Sequence, residues 1–345
     1  MTVPDLGLEP MLAAVAEELP EGPTWTYEPK WDGFRTLVRR SGDRIEMVSR
    51  GGRDLNRYFP ELVEAFSHLG GEQWLIDGEV ILALDHGLDF DALQQRIHPA
   101  ASRIKMLAET TPASYVAFDA LAVGDESLVA SPLEERRQRL EQVLQDPPER
   151  IYLTPRTADP ELARSWFWSY EGAGLDGVIG KRRGEHYLPG KRAWVKLKHR
   201  RTADCVLIGY RLSNDGSGVG SLLLGLHDEG GVLHYVGHTS SFDAATRRAL
   251  LKELQPMRIE PTAEEMGRAP GALSRWSQGK TQDWVGVRPE RVVEVSYEKL
   301  QAGQRFRHAA RFLRWREDKT PAECSFEQIS LPAAFDLGAI ISSTR

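Results

Sequence analysis

Cysteine is scarce in this sequence: two of 345 residues, Cys205 and Cys324. Two cysteines build neither a disulfide framework nor a four-cysteine zinc site. Long apolar runs are missing as well, so no stretch approaches the roughly 20 residues of a membrane span. Residues 1–20 lack a basic-then-apolar leader. No internal repeat or low-complexity segment is evident. A reducing cytoplasm is the expected setting, with no membrane attachment. An overall positive charge is also lacking: the net charge is −6, which argues against a uniformly basic nucleic-acid binder.

What is present is unevenly placed. Residues 181–201 hold nine Lys/Arg against one acid, Glu185; residues 305–319 hold six against two; residues 35–57 hold seven against three. Net charge conceals such local fields, and three basic runs beside candidate motifs suit a polyphosphate or nucleic-acid surface. Hydrophobic content of 41% and charged content of 27% are those of a globular protein. The length fits two domains.

The coarse element reading follows periodicity and punctuation. Residues 1–20 read as a helix with Leu8, Met11, Leu12 and Val15 on one side. Residues 27–38 and 44–49 alternate like strands around the turn Ser41-Gly42-Asp43. Helices are expected at 60–69, at 90–97 and, behind a Ser131-Pro132-Leu133-Glu134 capping box, to about residue 144. Another starts at Asp159-Pro160 and buries Leu162, Trp166 and Tyr170 before Gly172 and Gly174 end it. Strands are expected at 74–84, 115–123, 175–181 and 193–198. After residue 202 the texture changes to short strands at 205–211, 221–227, 233–236 and 292–297, with one helix at 242–254. That pattern fits a small Greek-key barrel of the oligonucleotide-binding kind. From residue 331 onward nothing predicts order.

The stretch Glu28-Pro-Lys30-Trp-Asp32-Gly33-Phe-Arg35 carries the chemistry. Its amine is a nucleophile, its carboxylate can hold a metal or orient a hydroxyl, and its guanidinium can grip a phosphate. Six strings stand in order: KWDGFR (30–35), SRGG (49–52), DGE (77–79), AFDA (117–120), LDGVIGK (175–181) and WVKLK (194–198), followed by RWREDK (314–319). Any one alone is weak; the ordered set is specific.

This order resembles the covalent nucleotidyltransferases, and among them the ATP-dependent DNA ligases, in particular the small bacterial ligase C and ligase D type. The likeness runs from Tyr27 to Lys319. It implies an α+β chain of two domains. An N-terminal nucleotidyltransferase domain (1–198, mixed antiparallel sheets with helices, ATP-grasp-like) would be joined by a hinge (199–202) to a C-terminal OB-fold barrel (203–330), with a poorly ordered tail (331–345). It implies ATP and a divalent cation, Mg²⁺ or Mn²⁺, as cofactors. A lysyl-AMP on Lys30 and an adenylated DNA strand would be intermediates in sealing nicked duplex DNA.

By the same resemblance Glu28 borders the adenine and Phe118 stacks on it. Arg35, Arg50, Glu79, Lys196 and Lys198 contact sugar or phosphates. Lys196 and Lys198 alternate along one strand toward the α-phosphate, and cations around Lys30 help it shed its proton. Glu79, Asp176 and Asp32 are the metal candidates; Asp176 stands where the family usually has glutamate. Arg314, Arg316 and Lys319 orient the β- and γ-phosphates. Arg53, Lys181, Arg182, Arg183, Arg200 and Arg201 are DNA-contact candidates. A monomer is expected, with a repair polymerase, primase or end-binding protein as possible partners.

Three competitors remain in view. RNA ligases and GTP-using capping enzymes share the chemistry, and the resemblance, not the residues, favours ATP. NAD-dependent ligases need an extra N-terminal module and a cysteine zinc finger. A non-enzymatic single-strand binder would explain the barrel but not Lys30, Glu79, Asp176, Lys196 and Lys198 in order. Gly279-Lys280-Thr281 is no P-loop, because Ser274 stands where a glycine is required.

Overall fold

A computed structural model of the chain describes residues 6–260, 266–268, 284–301, 304–329 and 335–342. It divides into two compact units, Met1–His199 with Pro332–Arg345, and Arg200–Leu331. The Gly279-Lys280-Thr281 string lies outside the described residues.

Unit one is built on two sheets. In the first, the strands run in the order Leu12–Ala16, Arg192–Lys198, Gly177–Arg182, Trp25–Pro29. Its outer pair Leu12–Ala16 and Arg192–Lys198 is parallel, and the other pairings are antiparallel. The second runs Ile151–Leu153, Ser114–Val123, Gln73–Ile81, Phe34–Ser41, Arg44–Ser49. One apolar cluster, with Leu37, Leu75 and Phe118 from the second sheet and Trp194 from the first, joins the sheets face to face. The far side of the first sheet is covered by helix Pro160–Ser169, whose Ala163, Trp166 and Phe167 pack on Tyr27 and Val178. The far side of the second carries helix Pro60–His68 through Leu62 and Phe66. Helix, sheet, sheet, helix is therefore the layer order, and the space between the sheets is the one place where polar side chains from both can converge.

Several local expectations fail for identifiable reasons. Residues 12–16 are a strand, not part of a helix: a short apolar run suits either, and here the parallel ladder to Arg192–Lys198 decides. Residues 27–38 are not one strand; the chain breaks at residues 30–33 and passes from the first sheet to the second. The Ser131 capping box does not form. Pro132 is the cap of helix Leu133–Val143, and Glu134 instead binds Arg156 and Arg183. On helix Pro160–Ser169, which Asp159 does cap, Leu162 is exposed and Tyr170 only partly buried. The helix Ala101–Thr110 carries no clear apolar period and was not anticipated. Order also returns beyond residue 331, as a helix at Leu337–Ser342 whose Leu337 and Ile340 are buried in unit one.

Unit two centres on strand Arg201–Leu212, paired with Val219–His227 on one side and with Val292–Tyr297 and Val285–Val287 on the other. Leu233–Thr239 and Arg311–Trp315 extend the two sides. A single bridge, Thr239 to Ala310, links those extensions, so among the described residues no continuous ladder closes the expected barrel. Helix Ala244–Leu254, capped by Asp243, contributes Leu250 and Leu254 to the core. Cys205 and Cys324 are free and buried there. No helix among the described residues is long and apolar enough to cross a membrane.

Of residues 199–202, His199 is stacked on Phe167 at 3.8 Å and bonded to its carbonyl, within unit one. Arg201 and Thr202 are already laddered to Tyr297 and Ser296 in unit two. Arg200 is the first residue of unit two.

Candidate functional site

The break at residues 30–33 is where the two sheets meet the chemistry. Lys30 follows strand Trp25–Pro29; its amide donates to the Gly177 carbonyl at 2.8 Å and its carbonyl accepts from the Asp176 amide at 2.9 Å. Two glycines make the approach possible. A Cβ on Gly33 would overlap the Val80 carbonyl oxygen, and one on Gly177 (φ +129°) would overlap that of Leu197. The Lys30 side chain then lies in a cavity of about 220 Å³ between the sheets.

Register places the wall residues. Glu28, Ile179 and Lys196 lie opposite one another across three strands of the first sheet, and Arg35 faces Glu79 in the second. Glu28, Lys30, Arg35, Arg50, Glu79, Phe118, Lys181 and Lys196 all line the cavity, so eight of the sequence candidates converge there. Asp176 and Lys198 stand beside it: Asp176 Oδ2 is 2.7 Å from Lys30 Nζ and 3.3 Å from Lys198 Nζ. The nucleophile thus faces a carboxylate as well as cations. Asp32 is close enough that its charge acts on Glu79, but it is not in the lining.

Lys181 is a correction. Expected as a DNA contact, it is buried, with Nζ 2.6 Å from Glu28 Oε2, and the two side chains are 2% and 3% exposed. Its ammonium lies 4.7 Å from the Phe118 ring and 4.3 Å from the Trp194 ring. Burial pulls the Lys181 ammonium below its usual range against the attraction of Glu28. The other oxygen, Glu28 Oε1, is buried with no hydrogen-bond partner. A buried acceptor left open on a cavity wall is costly unless something supplies a donor.

Arg35 is committed before any ligand arrives. It makes two bonds to Asp77, at 2.5 and 2.6 Å, donates to the Met11 carbonyl, and lies over the Phe118 and Trp194 rings at 4.5 and 4.9 Å. Tyr187 donates to the same Asp77 at 2.6 Å. Phe118 is only 7% exposed, serving core and wall together. Asp119 of the AFDA string points elsewhere, into a buried two-bond pair with Arg136 at 2.7 and 3.0 Å.

Burial pushes the Glu79 carboxyl up to about 7, against the pull of Arg35 and Lys30 and with a further push from Asp32 and Asp77. A folded-state value above that of the unfolded chain means the native protein holds this proton longer. Glu79 therefore costs nothing below about pH 4.5, and native stability falls as pH rises toward 7, by roughly 3 kcal/mol in all. In a chelator-containing buffer, Glu79→Gln is expected to stabilise at pH 8 but not at pH 4.5. Denaturant midpoints at the two pH values check this, and a pH-independent effect would contradict it.

Arg50, though it lines the cavity, is exposed, and its amide is bonded to the Arg35 carbonyl. The remaining candidates lie apart. Arg53 and Arg182 are exposed, Arg182 over the Trp25 ring, and Arg183 is paired with Glu134. In unit two, Arg314 is 62% exposed and paired with Glu294, whereas Arg316 and Lys319 both bind Asp204, at 3.0 and 2.8 Å. Arg316 also holds the Asp318 carboxyl down to about 2 through hydrogen bonds. Asp77, Tyr187, Trp194 and Asp204 were not singled out from sequence. Trp194 had a signal: it alternates with Lys196 and Lys198 on one strand face.

No cluster of three or more His, Cys, Asp or Glu side chains suited to a metal occurs among the described residues. Magnesium bound to substrate phosphates needs only one or two protein carboxylates, and Glu79 and Asp176 supply that number.

Comparison with known proteins agrees with this geometry. Residues 10–198 match the ATP dependent DNA ligase domain and residues 215–319 the ATP dependent DNA ligase C terminal region. DNA ligase C1 of Mycolicibacterium smegmatis is 48% identical over 339 residues, 96% of each chain, and DNA ligase C of Mycobacterium tuberculosis is 47% identical, over 98% of each. A solved structure of a Lig E DNA ligase shares the fold, with a TM-score of 0.57 at 17% identity over 89% of this chain and 99% of that one. The two units are thus a nucleotidyltransferase domain and an OB-fold-containing ligase domain of mixed α+β content. By the length and extent of these matches, the chain belongs to the ATP-dependent DNA ligases.

Proposed function

We propose that this protein seals 5′-phosphate/3′-hydroxyl nicks in duplex DNA with ATP, through AMP carried on Lys30. The observation that carries the reading is the cavity between the sheets, where Lys30 lies 2.7 Å from Asp176 among the wall cations Arg35, Lys181 and Lys196. Lys30 Nζ gives up its proton and attacks the α-phosphorus; the bond to the β-phosphate oxygen breaks and pyrophosphate leaves. The DNA 5′-phosphate then takes AMP from Lys30, and the 3′-hydroxyl displaces AMP to form the phosphodiester. Each displacement builds charge on non-bridging oxygens, which Lys196 and Lys198 are placed to neutralise. A divalent cation held by Glu79 and Asp176 would add charge neutralisation on the phosphates.

Glu28 reads the base. Lys181 pins Oε2, leaving Oε1 as a fixed acceptor, which suits the exocyclic amine of adenine and opposes the carbonyl of guanine. Glu28→Gln is expected to narrow the preference for ATP over GTP in self-adenylation by about tenfold or more. The ratio of the two kcat/KM values measures this; an unchanged ratio would remove Glu28 from base recognition.

Arg314, Arg316 and Lys319 orient the β- and γ-phosphates, and for the last two this means exchanging Asp204 for phosphate. Domain limits of 1–198 and 203–330 about a pivot at 199–202 are part of this reading, and the unit boundary between His199 and Arg200 falls within that pivot. Similarity to the multifunctional non-homologous end joining protein LigD of Pseudomonas aeruginosa, 33% identical over 94% of this chain and 37% of that one, supports a repair role. Arg53, Arg182, Arg183, Arg200 and Arg201 remain the proposed DNA contacts. The test is a sealing assay on nicked DNA and nicked RNA duplexes with ATP and Mg²⁺ or Mn²⁺. Joined DNA is expected; joining of RNA alone would assign an RNA ligase instead.

A further inference from the structure

The helix Leu337–Ser342 lies beyond the residues matched by either ligase domain, yet it packs on unit one. A helix of six residues does not hold itself together in water, so its order comes from what it covers. Leu337 (7% exposed) and Ile340 (1%) share one apolar cluster with Trp31, Ile81, Leu88, Val116, Ala173 and Leu175. Phe335, just before the helix, meets the Tyr170 ring at 5.1 Å. Asp336 accepts from the Gly338 amide at 2.8 Å and fixes the start.

Two of the covered residues flank the reactive pair. Trp31 follows Lys30, and Leu175 precedes Asp176. The two segments are tied to each other by the backbone bonds Lys30 N to Gly177 O and Asp176 N to Lys30 O. Trp31 is fixed further by its indole N–H, which donates to Thr154 Oγ1 at 2.9 Å. The Lys30 side chain is long and flexible, so its aim depends on where its backbone is held.

We infer that Leu337 and Ile340 are positioning residues for self-adenylation: they complete the apolar seat of Trp31 and Leu175 and so hold Lys30 against Asp176. The inference rests on Lys30 being the nucleophile. The experiment uses the full-length double variant Leu337→Asp/Ile340→Asp and three readouts: the single-turnover rate of AMP transfer to protein at saturating ATP, the KM for ATP, and the sealing of a pre-adenylated nick, which does not use Lys30. The expected result is a fall of about 10–100-fold in the transfer rate, with the KM and the sealing rate within about twofold of wild type. The conservative Leu337→Met/Ile340→Val variant should restore transfer. An unchanged transfer rate, or equal losses in transfer and sealing, would overturn the inference. Failure of the wild type to take up AMP would instead overturn the function on which it rests.

Discussion

With alanine at position 30, the protein is expected to take up no AMP from ATP, a loss of at least about a thousandfold, yet still to join a nick whose 5′ end already carries AMP. The two halves of this result come from different parts of the chemistry. Self-adenylation needs the amine, and Lys181, buried against Glu28, is not free to supply another. Joining a pre-adenylated nick needs only the surrounding charge, from Lys196, Lys198, Glu79 and Asp176. Gel-shift of labelled DNA checks the second half and label on the denatured protein the first. Loss of both together would mean that Lys30 holds the fold and not the nucleotide.

Arg35→Met is expected to destabilise unit one by about 3–5 kcal/mol, because it strands a buried carboxylate. Asp77 is wholly buried, and Arg35 satisfies both of its oxygens. Tyr187 would remain as a single donor to one of them. Against a total of about 5–15 kcal/mol for a typical domain, such a loss is severe. The double variant Arg35→Met/Asp77→Leu should recover most of it, since exchanging a whole buried pair for apolar groups is often neutral. Denaturant midpoints of the unit-one transition for the two variants decide the matter. Equal instability in both would show that Arg35 matters for packing on Phe118 and Trp194 and not for its charge.

How far the sequence could be read depended on the distance between partners. That Lys30, Glu79 and Lys196 share one cavity, with Lys198 beside it, was legible from the order of the short strings and the family that order resembles. Trp194 was legible by alternation with the two lysines but was passed over. The Glu28–Lys181 pair was not legible, because it depends on antiparallel register between strands 25–29 and 177–182, far apart in the chain. That is why Lys181, sitting in a basic run, resembled a surface cation. Asp204 was hidden for the same reason: its partners Arg316 and Lys319 arrive across more than a hundred residues. The first strand was misread because five apolar or small residues carry no period of their own, and the helix Leu337–Ser342 because six residues gain order only from what they cover.

The most direct test of Lys30 as the AMP carrier is to incubate the protein, freed of bound nucleotide, with α-labelled ATP or GTP. Proteolysis then locates the label. Label from ATP, confined to the peptide bearing Lys30, is the expected result. Label on Lys181, Lys196 or Lys198, label from GTP in preference to ATP, or no label at all would contradict it.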